Sequence, residues 1–160
     1  MKNKPTVYII SGSFNDFIHV KSFMDCLKIQ KYDPLQFIFV DDGSSSDLSA
    51  YIKKMYPEIH LFHGDGSLWW TGVMKKGVSE TLITARKGDF ILTINVDCEM
   101  DSEYVGNLVK DSLSHNRAIV GSQVYDIRNK SLLIDGGVEI DWILGRFRTG
   151  GRIDTLSTKG

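Results

Sequence analysis

A chain of 160 residues with 42% hydrophobic and 24% charged side chains can bury one sizeable core and lacks the compositional signature of disorder. Its formal charge of −1 argues against a general nucleic-acid binder, because phosphate-driven affinity needs a Lys/Arg excess. No apolar run approaches the roughly 20 residues that span a bilayer, and Cys26 and Cys98, lacking metal or disulfide spacing, read as free thiols in a reducing compartment.

In chain order, MKNKPTVYIISGSF sets basic residues before a short apolar run interrupted by Gly and Ser, without a small-residue cleavage site. It reads as a first strand, TVYIIS, and not as a signal peptide. FIHVKSFMDCLKIQ follows with apolar residues at helical spacing, then the continuous apolar strand QFIFV. DLSAYIKKMY predicts a second helix, EIHLF a third strand, TGVMKKGVSETLITAR a third helix and FILTINV a fourth strand. AIVGSQV is expected to continue the sheet. SLLIDGGVEIDWILGRFRTGGRID, rich in Gly and charge, predicts a hairpin or a mobile loop. Strands alternating with helices imply an α/β fold with a parallel sheet and right-handed crossovers. No repeat, low-complexity tract or linker interrupts 1–160, so one domain is expected.

Ligands of an open parallel sheet bind outside the carboxyl ends of its strands. Those exits read SGSFND, DDGSSSD, HGDGSLWWTG and NVDCEMD, so three of the four carry an acid at or just after the strand. Asp41, Asp42, Asp65 and Asp97 around one pocket would leave a negative potential that a divalent cation resolves; Mg²⁺ typically takes one or two carboxylates plus substrate phosphates. Such an ion also neutralises a pyrophosphate leaving group. Asp47, Asp65 and Asp101 read more simply as helix caps or solvated side chains. Adjacent Trp69 and Trp70 cannot share a face of a regular element; one packs on the core while the other borders the pocket, with Trp70 the candidate for lining substrate. His19, His60, His63 and His115 make no metal-ligand spacing and read as structural or exposed.

Taken together and in order, SGSFND, VDDGSSSD, LWWTGVMKKGV and INVDCEMD resemble the motifs of the family 2 glycosyltransferases, over roughly residues 5–140. The resemblance implies a GT-A fold, a Rossmann-like, mostly parallel sheet flanked by helices. It also implies an enzyme that moves a sugar, with inversion, from a nucleotide-diphosphate sugar to a saccharide or lipid-linked acceptor, as in polysaccharide biosynthesis. By its motifs, Asp42 first and Asp41 second would accept the nucleobase N–H, which suits an acceptor-only carboxylate. Ser13 and Asn15 match nucleotide-contacting positions, and Asp97 matches the metal-binding Asp, with Mg²⁺ or Mn²⁺ as the ion. Asn95 replaces the first acid of the metal segment and would contact the donor ribose or sugar. Lys75 stands where the family usually has Asn, and Met74 where it often has Arg, so donor contacts from that helix differ from the family pattern.

The resemblance supplies no catalytic base: Asp135, Glu139, Asp141 and Asp154 are the downstream acids, and none sits in a matching motif. The chain is therefore expected to be truncated on its acceptor side, and to bind donor better than it transfers sugar. Gly136 and Gly137 resemble a Gly pair near the family's acceptor side, though a hairpin turn accounts for them as well. Arg146, Arg148 and Arg152 form either a phosphate clamp or a solvated basic loop. A phosphoacceptor receiver domain would need paired acids after the first strand and a Lys after the last, and a dinucleotide-binding oxidoreductase would need G-x-G-x-x-G. A non-catalytic nucleotide-sugar-binding module shares every motif and stays as the alternative. The expected location is cytoplasmic, with peripheral association at the inner membrane face and no transmembrane segment.

Overall fold

The computed structural model describes residues 4–44, 46–115, 118–141 and 143–149. The chain divides into two units, 1–109 and 110–160. The first is built on a four-stranded parallel sheet: β1 (Val7–Ser13), β2 (Leu35–Asp41), β3 (His60–His63) and β4 (Phe90–Thr93), in the order β3-β2-β1-β4. Between and after the strands run α1 (Phe17–Lys28), α2 (Ser46–Met55), α3 (Trp69–Thr84) and α4 (Tyr104–Ser114).

β1 and β2 are near-continuous apolar runs because helices cover both sheet faces. Side chains alternate across a strand. Val7, Ile9 and Phe39 enter one core with Val20, Phe23, Met24 and Leu27 of α1, Leu48 and Ile52 of α2, and Val105 and Val109 of α4. Tyr8, Ile10, Ile38 and Val40 enter a second core against Val73 and Met74 of α3. Met74 is thus a core residue of the face that α3 covers.

Local signals explain the helices. Asp16 caps α1 by accepting from the His19 amide, and Val20, Phe23, Met24 and Leu27 recur on one helical face. In α2, Asp47 in the first turn and Lys53 and Lys54 in the last complement the helix dipole. Asp101 accepts from the Glu103 amide just ahead of α4. α3 lies close on the sheet because Gly77 faces β1: a Cβ there would stand 2.3 Å from the Ile10 Cγ2.

Several boundaries differ from the sequence reading. α3 begins at Trp69, two residues earlier than the expected Thr71, so both tryptophans join its first turn. β4 stops at Thr93, although the Ile94 amide still bonds the Ile10 carbonyl; Asn95 and Val96 belong to the following turn. α4 has no counterpart in the sequence reading, its buried stripe being reduced to Val105 and Val109. The expectation that AIVGSQV continues the main sheet is wrong. Ile119 is fully exposed, and only Val124–Tyr125, β5, forms a strand, paired antiparallel with β6 (Leu133–Asp135) in a separate sheet. Three apolar residues ahead of Gly-Ser-Gln offer too short a face to bury between helices.

The second unit contains that ribbon and the predicted hairpin, β7 (Val138–Asp141) with β8 (Arg146–Thr149). Gly136 and Gly137 join β6 to β7 across two sheets and do not form a hairpin turn; Gly137 has a φ of 89°. Among the described residues no helix is long and apolar enough to cross a membrane.

Gly77→Ala should destabilise the fold by roughly 1–3 kcal/mol, the usual penalty of overpacking. Gly106→Ala in α4, with nothing within 4 Å of the added carbon, should be neutral or stabilise by about 0.5–1 kcal/mol. Urea unfolding of both variants checks the contrast, and equal effects would refute the tight α3–β1 contact.

Candidate functional site

The parallel register lines up the strand exits. Ser13 pairs with Asp41, and Asp41 with His63, along the carboxyl edge. The ladder runs on as the Asp42 amide bonds the Ser13 carbonyl at 2.9 Å and the Gly64 amide bonds the Asp41 carbonyl at 2.8 Å. The strand order reverses between β1 and β4, which places the crevice of an open sheet at their carboxyl ends.

Asp41 and Asp42 are both buried, at 2% and 4% exposure. Each holds a different helix. Asp41 Oδ1 accepts from the Ser44 amide at 3.0 Å, and its Oδ2 accepts from the Ser49 hydroxyl in the first turns of α2. Asp42 Oδ1 accepts from the Gly66 amide at 2.9 Å, while its Oδ2 accepts from the Leu68 and Trp69 amides at 3.0 and 3.1 Å. Leu68, the N-cap of α3, has no capping side chain of its own, so Asp42 supplies the cap from another element. The acids are doubled because consecutive residues face opposite sides of the sheet, where α2 and α3 pack. Gly64 completes the fit: a Cβ there would lie 2.2 Å from Asp42 Oδ1.

The neighbouring loop is tied in as well. Asn15, at φ 53°, tolerates the left-handed region that suits Asn, and its amide donates to Ser44 Oγ at 2.8 Å. The Ser13 hydroxyl is buried and has no hydrogen-bond partner among the described residues. Buried polar atoms are normally satisfied, so an unpartnered one invites a ligand or water.

Across the crevice, the Trp70 indole Nε1 donates to Asn95 Oδ1 at 2.6 Å. Trp70 is 56% exposed and Trp69 82% exposed. Neither packs on the core, contrary to the expectation that one of the pair would. Asp97 is also exposed, and among the described residues its Oδ1 meets only the weak donor Cys98 Sγ, at 3.8 Å. Burial, and next the Asp97 charge, push the Cys98 thiol pKa up. Among the described residues no three His, Cys, Asp or Glu side chains converge on a metal position. A lone accessible carboxylate still fits an ion that draws its remaining ligands from a diphosphate.

Lys75 is exposed in the second turn of α3, roughly 140° around the helix from Trp70 at 100° per residue, and does not share its face. Asp65 closes its own turn by accepting from the Ser67 hydroxyl and amide; the hydroxyl first, then the amide, lowers its pKa. The histidines bond neighbouring side chains: His19 to Asp16, His60 to Gln36, His63 to Ser49 and His115 to Ser114. Ser44 and Ser49 escaped the sequence reading, although a hydroxyl one turn into a helix after an Asp was the available signal. Of the acids considered as a base, Asp135 accepts from the Gly137 amide and Asp141 from the Ile143 and Leu144 amides. Glu139 and Arg148 lie in strands without described side chains, Arg146 begins β8, and Asp154 and Arg152 fall outside the described residues.

The Glycosyl transferase family 2 pattern matches residues 9–158. The chain belongs to this family. Its fold is similar to that of a mannosyltransferase, PcManGT from Pyrobaculum calidifontis, in complex with GDP-Man and Mn²⁺. That match has a TM-score of 0.63 and 17% identity over 81% of this chain and 38% of that one. It is also similar to S. aureus TarS 1-349, with a TM-score of 0.52 and 16% identity over 77% of this chain and 40% of that one. A 4-diphosphocytidyl-2C-methyl-D-erythritol synthase matches with a TM-score of 0.56 and 13% identity over 92% of this chain and 72% of its own. No curated protein matches the sequence. The chain thus spans about two fifths of the two glycosyltransferase structures, and the shared architecture is the GT-A fold.

Asp42→Ala should cost about 2–4 kcal/mol, because it strips three backbone amides of their acceptor. Asp42→Asn, keeping one acceptor oxygen, should fall between it and the native chain. Denaturant unfolding measures both; a stable Asp42→Ala would show that the carboxylate does not anchor α3.

Proposed function

We propose that this family 2 member binds a nucleotide-diphosphate sugar at the carboxyl edge of β1, β2 and β4 and transfers its sugar, with inversion, to a saccharide or lipid-linked acceptor. The observation that carries the reading is the buried Ser13 hydroxyl beside the switch point, without a partner among the described residues, in a member of a nucleotide-sugar-using family. It offers a donor and acceptor where a nucleotide would lie. Asn15 and Ser44 hold the adjoining loop in place.

Asp42 has spent three of about four acceptor positions on the start of α3 and the loop before it, and keeps one for a nucleobase N–H; Asp41, with two spent, is the second candidate. Asn95, held by Trp70, borders the sugar and diphosphate, while Lys75 serves only as a more distant positive charge. Asp97 would hold Mg²⁺ or Mn²⁺, an ion that neutralises the diphosphate as it leaves. The mannosyltransferase named above is in complex with GDP-Man and Mn²⁺, and TarS is known in complex with UDP-GlcNAc, which supports this donor class.

A second reading, a nucleotide-sugar-binding module that does not transfer sugar by itself, is favoured by one feature. Asp135 and Asp141 spend their carboxylates on local turns. Deprotonating an acceptor hydroxyl needs a positioned base. We place the protein in the cytoplasm, at the inner membrane face, in polysaccharide biosynthesis.

Thermal shift with UDP-, GDP- and dTDP-sugars, with and without Mn²⁺, should reveal a metal-dependent stabiliser. Asp97→Asn should abolish the metal-dependent part of affinity while leaving the fold intact. Nucleotide affinity in Mn²⁺ unchanged by that substitution would remove Asp97 from the metal role. Product mass with lipid-linked and free-saccharide acceptors then separates transferase from binding module.

A further inference from the structure

We propose that Trp70 is a positioning residue that fixes Asn95 as a hydrogen-bond donor toward an acceptor oxygen of the nucleotide-sugar; the inference rests on the donor site proposed above. Trp70 lies four and seven residues before Met74 and Gly77, on the face of α3 that packs against the sheet. One turn earlier than that buried stripe, it overhangs the carboxyl edge. The amide of its neighbour Trp69 is anchored by Asp42, and Trp69 holds a φ of 53°, a strained value for a large side chain. The first turn of α3 is therefore held from the β2 side.

An indole N–H only donates, so it must meet the carboxamide oxygen of Asn95 and not its nitrogen. With Oδ1 bonded to Nε1 at 2.6 Å, the NH₂ of Asn95 is turned away from the indole. Asn95 is exposed, and its NH₂ donates to no group among the described residues. Its carbonyl opens the turn that carries Asp97, accepting from the Cys98 amide at 3.4 Å. The two free N–H bonds thus stand two residues from the proposed metal ligand and match an acceptor: a diphosphate oxygen, or a hydroxyl or ring oxygen of the sugar. A carboxylate at this position would select the opposite polarity, an O–H donor. Rotating the amide to accept from ligand would break the indole bond and set N–H against N–H. Trp70 accordingly acts through Asn95 and not by touching the ligand.

A double-mutant cycle tests this. Asn95→Ala, Trp70→Phe and the double variant are titrated calorimetrically with UDP and UDP-GlcNAc, and with GDP and GDP-mannose, in Mn²⁺. Asn95→Ala should weaken the ligand that the native chain binds by about tenfold, and Trp70→Phe by about three- to fivefold. Trp70→Phe should add no further loss in the Asn95→Ala background. Both sites are exposed, so thermal midpoints should not move, while the Trp70 indole N–H resonance should shift in Asn95→Ala. A loss with the nucleoside diphosphate alone locates the acceptor on the diphosphate, and a loss only with the nucleotide-sugar locates it on the sugar. A Trp70→Phe loss that persists without Asn95, unchanged affinity in both single variants, or an unmoved indole resonance overturns the proposal. If the native chain binds none of the four ligands, and no dTDP-sugar stabilises it either, the donor-site reading itself fails, and the inference falls with it.

Discussion

Two buried carboxylates at the end of one strand organise the carboxyl edge of this protein. An ionised group with almost no exposure is tolerable only when its oxygens are satisfied, and Asp41 and Asp42 meet that condition with five donors drawn from two loops and two helix starts. Because adjacent strand residues point to opposite faces, the pair reaches both layers of helices at once. The N-terminal ends of α2 and α3 gain negative charge where their dipoles favour it. A single Asp would have served one layer and left the other helix start without its cap.

From that anchor the rest of the crevice follows. α3 can lie close on β1 because Gly77 has no side chain to obstruct Ile10. Its first turn, fixed by Asp42, overhangs the switch point and brings Trp70 to Asn95. The turn bearing Asp97 is thereby tied to an element that starts on the far side of β1. Only Ser13, at the centre of this frame, has a buried side-chain oxygen without a partner among the described residues. A rigid rim around an unsatisfied group is the arrangement expected of a preformed polar site.

The second unit is built differently. Its two antiparallel ribbons are short, and Asp135 and Asp141 each accept amides two or three residues on. Such acids shape turns.

The sequence by itself determined the order of strands and helices of the first unit from β1 to β4, and left α4 unread. Continuous apolar runs such as VYII and FIFV leave few alternatives to strands buried on both faces, and the helical stripes of α1 and α3 are set by local spacing. It also determined which residues stand at strand exits, since that depends on order along the chain alone. Only the tertiary structure decided what those residues do there. That Asp42 caps a helix 27 residues away, that Trp70 meets Asn95 across the crevice, and that AIVGSQV leaves the sheet are facts about distant neighbours. Hydrogen-bond partners are chosen by proximity after packing, and periodicity along the chain carries no record of that choice.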